Sequence, residues 1–285
     1  MLIARPVLLV VVPFILSFGL MCAAQLAFLE GSLHRDLGMG RVAEAVSLDN
    51  YRRFFGDPFF LLVLWATIKV SALAALATLA LGYPVAYVIA RMRSSWAPLL
   101  LAGIVVASFV TIVIKAFGLI IIFSANGLLN RTLMGVGLIS EPYSIFGTEE
   151  GIVIGLMQFT IGYSVLVLYS VIQTIPLSLE EAAGIHGANR WRVYWRVILP
   201  LSLPGLLVGG LTIFNMCMGA FTSAALLGGG RVFTLPVLIQ RSVMMEVKYG
   251  MGAAIAVVLL VSALLINLVS LVLVRRLDAA RLVIA

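Results

Sequence analysis

Six long apolar runs constrain this chain more than any other feature of it. They are residues 7–29, 59–90, 98–123, 151–172, 204–227 and 251–274. A helix of about twenty apolar residues crosses the hydrocarbon of a bilayer, and each run is long enough. Only two charges interrupt them, Lys69 in the second and Lys115 in the third. A Lys at the centre of a span costs roughly 3 kcal/mol, while each Leu, Ile, Phe or Val returns roughly 0.3–0.6. The twelve such residues between Phe59 and Leu81 outweigh Lys69. With 62% of residues hydrophobic and 11% charged, the chain carries more apolar surface than a water-soluble fold can hide. The expectation is an all-α polytopic membrane protein, one domain over residues 1–285, with six transmembrane helices and the lipid bilayer as solvent. The first run follows Arg5 and exceeds the roughly 7–15 apolar residues of a cleaved signal, so it reads as a retained helix.

Charges between the runs give the orientation. With both termini inside, the inner segments are the denser in Lys and Arg, as cytoplasmic loops are. Only Glu180, Glu181 and Asp278 of the twelve acids lie on that side. The chain is therefore expected in an inner membrane with both termini cytoplasmic.

The same reading narrows the chemistry. No Asp or Glu falls inside a run, and His34 and His186 are both in loops. A membrane hydrolase or metalloprotease lacks its parts, and a proton-driven carrier lacks its usual intramembrane carboxylates. Cys22 and Cys217 lie far apart in apolar runs and form neither a CxxC pair nor a metal site. No basic cluster points to nucleic acid, and no cofactor site is visible on this chain. A non-transporting scaffold and a secondary transporter remain as alternative classes at this point.

One polar island stands out, residues 173–203 between the fourth and fifth runs. Pro176 ends the fourth run. Ser178 followed three residues on by Glu181 has the spacing of a capping box, which predicts a short helix from about Leu179 to His186. Gly187 is placed to end it. Asn189 is placed to cap a second helix through Arg190, Trp191, Arg192 and Trp195, stopping at Pro200, with Ser202 and Pro204 opening the fifth span. Ala183 and Gly187, and Gly184 and Ala188, are i, i+4 pairs of small residues that let another body approach. Glu180 and Glu181 offer negative charge at one end.

Glu181-Ala182-Ala183, three residues, Gly187, nine residues and Val197-Ile198-Leu199-Pro200 resemble the EAA loop of ABC importer permeases. The likeness extends along the chain through "SLDNYRRFFGDPFF", "LGYPVAYVIAR", "NGLLNRTL", "LPLSLPGLLVGG" and "ALLGGGRV", which look like the spermidine/putrescine-type branch. The resemblance implies the six-helix type I ABC importer permease fold, with the first helix wrapping a second permease subunit. It implies that Ser178, Glu180, Glu181, Ala182, Ala183, Gly184, Gly187, Leu199 and Pro200 form a coupling element gripped by an ATPase subunit. Two such subunits would hold ATP and Mg, and a periplasmic binding protein would deliver the solute. This chain would hydrolyse nothing itself. "LGGGR" is not a nucleotide loop, because no Lys-Ser/Thr follows it; it reads as a flexible end to helix 5.

Polar residues inside the runs are the candidates for a substrate path. Ser108, Thr111 and Lys115 recur at i, i+3 and i+7 and would form one stripe on a continuous helix. Gln158, Asn215, Thr222 and Ser223 complete the set, although Gln158 and Asn215 suit helix packing equally, and Lys69 suits a structural pair. Some relatives carry Asp or Glu where this chain has Ala220, which removes a convenient partner for a cation. Polyamine-like, amino-acid-like, opine and phosphonate solutes all remain open.

Overall fold

The computed structural model describes residues 4–282, with side chains for residues 11–272. From the N-terminus, α1 (Ala4–Ser32) leads to a hairpin of β1 (His34–Gly38) and β2 (Arg41–Val46), then α2 (Asp49–Gly56) and the long α3 (Pro58–Arg91). Next come α4 (Trp96–Phe109), α5 (Ile112–Phe123), α6 (Leu128–Gly135) and α7 (Glu149–Gln173). After α8 (Leu177–Ile185) and α9 (Arg190–Val193), a π-helical turn (Tyr194–Ile198) carries the chain into α10 (Leu199–Met218). The last elements are α11 (Thr222–Leu227), α12 (Leu235–Gln240), a second π turn (Arg241–Met245) and α13 (Tyr249–Leu282).

Six stretches among the described residues are long and apolar enough to cross a membrane: Val11–Ser32, Pro58–Arg91, Ile112–Gly135, Glu149–Gln173, Arg190–Met218 and Tyr249–Val272. Four of them follow the apolar runs to within a few residues. The third and fifth differ.

The run 98–123 is not one helix. Val110 and Thr111 are extended, with ψ 130° and 132°, and they separate α4 from α5. The five residues from Val110 to Ile114 are all β-branched, a run that loses side-chain freedom in a helix. Ser108, Thr111 and Lys115 therefore do not share one helical face. The fifth crossing begins at Arg190, not Pro204. Pro200 does not stop the chain, because it sits in the first turn of α10, where a proline's missing N–H is tolerated. The π turn before it re-registers the ladder, with the Leu199 N–H donating to the Tyr194 carbonyl. This crossing ends at Met218, and Thr222 and Ser223 belong to the separate α11.

The chain divides into two compact units. One comprises residues 1–64 and 235–262. Its hairpin is antiparallel, pairing His34 with Val46, Asp36 with Val42 and Gly38 with Arg41. Met39 and Gly40 both have positive φ, 51° and 74°, as a type I′ turn requires. The hairpin is an addition to the helical architecture that hydropathy did not suggest. Asp36 receives the N–H groups of Gly250 and Met251 at 2.9 and 2.8 Å, so it caps the first turn of α13. Asn50 donates to the carbonyls of Ser32 and His34. A Cβ at Gly250 would lie 2.2 Å from the His34 carbonyl oxygen, so this junction requires glycine.

The other unit comprises residues 65–234 and 263–285. α7 is its hub and packs against α4, α5, α10 and α11. Close approach depends on glycines: a Cβ at Gly162 would meet Ser108 Oγ at 2.0 Å, and one at Gly155 would meet Leu227 at 2.1 Å. The buried cluster of Tyr83, Val165, Leu168, Ile172, Val193 and Ile198 joins α3, α7 and the start of the fifth crossing.

Candidate functional site

The island folds into α8, a tight turn and α9. Pro176 occupies the N-cap of α8 in extended backbone, and no side chain caps the helix. The predicted capping box does not form. Ser178 lies within the first turn instead, because the helix starts two residues before Leu179, directly after a proline that needs no N–H partner. At the other end Gly187 has φ +79°. Its N–H donates to the Gly184 carbonyl and that of Ala188 to the Ala183 carbonyl, which is a Schellman closure. Asn189 then accepts the Arg192 N–H at 2.9 Å and starts α9.

Glu180 faces inward. Its carboxylate receives the Nε–H of Arg91, the last residue of α3, and both side chains are only 15% exposed. Arg91 also donates to the Ile175 carbonyl at 3.0 Å, and the Tyr87 hydroxyl donates to Glu180 at 3.3 Å. Arg91 thus ties α8 to α3 through Glu180 and holds the link between α7 and α8 through the Ile175 carbonyl. Glu181 points outward and meets the exposed Arg93 at 3.8 Å. That contact is worth little, because water screens both partners.

The small residues divide between two faces. Ala183 and Ala188 pack on the chain's own buried cluster. Gly184 and Gly187 look into open space. Ala182 is exposed beside them. Ile185 is 86% exposed and Leu179 43%. α8 therefore anchors Glu180 and packs Ala183 inward, and turns Glu181, Ala182, Gly184 and Ile185 outward. Leu199 is half-buried against the same cluster, and Pro200 is exposed. Arg91, Tyr87 and Ile185 were missed from the sequence. The first two lie about ninety residues away, and an exposed Ile in a loop carries no signal of its own.

Around Tyr194 lies an aromatic cluster. Its ring stacks on Trp191 at 5.7 Å and meets Tyr83, Tyr87 and Trp195 edge-on at 5.1 to 5.5 Å. The Tyr83 hydroxyl shares a 2.6 Å hydrogen bond with Ser202, which is buried in α10.

The candidate path residues do not form one constellation. Lys115 is half-buried and donates to the Ser108 carbonyl at 3.4 Å, across the break between α4 and α5. Ser108 Oγ–H turns back on the Ile104 carbonyl. Thr111 is exposed at the start of α5. Gln158 is half-buried on α7, Thr222 half-buried at the start of α11, and Ser223 buried. Asn215 exchanges two 2.9 Å hydrogen bonds with Asn267 and so joins α10 to α13. Lys69 pairs with Glu149 at 2.6 Å and joins α3 to α7.

Comparison with known proteins agrees with this anatomy. The family described as "binding-protein-dependent transport system inner membrane component" matches residues 2–279. The spermidine/putrescine transport system permease protein PotB of Haemophilus influenzae is 32% identical over 225 residues, 79% of this chain and 78% of that protein. PotB of Escherichia coli is 33% identical over 213 residues, 75% of this chain and 77% of that protein. The fold matches a chain of the bacterial alginate ABC transporter in complex with its alginate-pentasaccharide-bound periplasmic protein, with TM-score 0.78 and 19% identity over 96% of this chain and 94% of that one. A chain of the MetNI methionine ABC transporter matches with TM-score 0.61 and 17% identity over 77% of this chain and 98% of that one. This chain belongs to the family of inner-membrane components of binding-protein-dependent transport systems, the permease subunits of ABC importers.

Proposed function

We propose that α8 is the element through which ATP hydrolysis on separate subunits drives transport through this permease. The observation that carries this reading is the division of α8 into an anchored and an open face. Arg91 and Tyr87 fix Glu180 on one side, while Leu179, Gly184 and Ile185 stand open on the other. A rigid short helix, anchored on one side and open on the other with Ile185 standing out, suits transmission of a push from a soluble body. In this reading two ATPase subunits bind ATP and Mg, a second permease completes the path, and a periplasmic binding protein delivers the solute. Both termini face the cytoplasm. The solute is a small organic cation of the polyamine class, a choice supported by the PotB relatives, which are 32% and 33% identical over most of this chain. Ala220 supplies no carboxylate for such a cation, and the second permease in this reading also lines the path.

Ile185→Glu places a charge on the open face without touching the inward contacts. The expected outcome is a permease that accumulates in the membrane at normal level, no longer co-purifies with its ATPase, and no longer supports uptake of labelled spermidine. Normal co-purification and uptake would remove α8 from the coupling role. Uptake of labelled amino acids in place of spermidine by the wild-type system would leave the coupling role standing and overturn the solute.

A further inference from the structure

We propose that the groove between α3 and the start of the fifth crossing binds an anionic phospholipid, with Arg190 as its headgroup contact. The groove has a volume of about 580 Å³. Its walls are Tyr83, Pro84 and Tyr87 on one side and Trp191, Tyr194 and Trp195 on the other. The lining is apolar and aromatic apart from Arg190.

The argument for a lipid is one of charge and amphipathy together. The two acids on the neighbouring α8 each have an arginine of their own: Glu180 has Arg91 and Glu181 has Arg93. Arg190 forms no ion pair among the described residues. A guanidinium without a counterion at the edge of an apolar cleft is complementary to a molecule with an anionic end and a hydrocarbon body. A soluble anion would leave the aromatic wall bare, and a zwitterionic lipid brings its own cation to the arginine. Trp191 and Trp195 are exposed, as indole rings are at the boundary between hydrocarbon and headgroups. Basic pockets between helices at that boundary are where anionic headgroups lodge. Lipid in this groove would pack directly on Tyr87, whose hydroxyl donates to Glu180, and so would stiffen the anchor of α8. The inference does not depend on which solute is carried.

Tryptophan emission tests it on the full-length chain. The four tryptophans are Trp65, Trp96, Trp191 and Trp195. With Trp65→Phe and Trp96→Phe, emission comes from the groove alone. The protein is placed in phosphatidylcholine vesicles containing increasing brominated phosphatidylglycerol or, separately, brominated phosphatidylcholine. Half-maximal quenching is expected at about fivefold lower mole fraction of the anionic lipid. Arg190→Gln should erase that difference, and Arg192→Gln, outside the groove, should preserve it. Equal quenching by the two lipids, or a preference that survives Arg190→Gln, overturns the proposal. Quenching by neither lipid also overturns it, because a protein segment then covers the groove. If the double Phe variant does not fold, the same titrations on the wild type and on Trp191→Phe give the groove signal by difference.

Discussion

Arg91 and Glu180 carry their charges where little water reaches them, each 15% exposed, so each depends on the other. Removing one partner of a buried pair leaves the remaining charge uncompensated. Arg91→Met should therefore destabilise the protein by about 3 kcal/mol, at the lower end for a buried pair because some water remains. Arg91→Lys keeps the charge but cannot reach both Glu180 and the Ile175 carbonyl, and should fall between. Thermal melting in detergent reads both, and a wild-type melting temperature for Arg91→Met would show that the pair holds nothing. Glu246 gives a case outside the membrane. Its hydrogen bond to Lys248 at 2.8 Å, with Lys248 and Arg241 as nearby charges, holds its carboxyl below the usual glutamate value. A lowered folded-state value means the contribution is fully present above the ordinary glutamate range and is lost as pH falls through the depressed one. The melting-temperature gap between wild type and Glu246→Gln should be constant from neutral pH down to about 5 and close below the ordinary glutamate value. A gap that widens on acidification would contradict the assignment.

At the scale of elements, hydropathy located the apolar segments but not their interruptions. The run 98–123 is uniformly apolar, so a window average passes over the break at Val110 and Thr111. The β-branched stretch was the available signal, and it is weak because β-branched residues are common in spans. Pro200 misled in the opposite direction, because a proline stops a helix only where its missing N–H was needed. The turns at Gly187 and Asn189 were legible because each depends on one local residue type. The break also changes what Lys115 can be. It is no longer one member of a stripe; it is a cation set against a carbonyl at the end of α4, where the helix dipole is negative. Lys115→Met should lower the melting temperature by the equivalent of about 1 kcal/mol, as lost terminal charge interactions do, and Lys115→Arg should restore it. If Lys115→Met instead leaves stability at the wild-type value and alters only the uptake rate, the ammonium serves the solute and not the break.

At the scale of the whole molecule, side-chain contacts test the parity of the crossings that the apolar runs implied. Arg91 meets Glu180, so the loop after α3 and the loop after α7 open on one face of the membrane. Asp36 caps Gly250 and Met251, so the hairpin and the start of α13 open on one face as well. Both agree with six crossings, a count that was legible because lipid leaves a long apolar signature. The hairpin was not legible, since five-residue strands in a polar loop leave none. Which face is cytoplasmic rests on the distribution of charges alone, and thiol labelling decides it. Met39, at the hairpin tip, is 98% exposed, and Ile185 is 86% exposed. Ser242, in a segment expected on the same side as Met39, is only 7% exposed and would make a poor reporter. Three crossings separate Met39 from Ile185, so the two positions must face opposite compartments. In a chain lacking Cys22 and Cys217, Met39→Cys should react with an impermeant thiol reagent on spheroplasts, whose inner membrane is intact, and Ile185→Cys only after lysis. The reverse pattern would invert the orientation and move α8 away from the compartment that holds ATP. Labelling of both positions before lysis would break the parity itself, and with it the count of six.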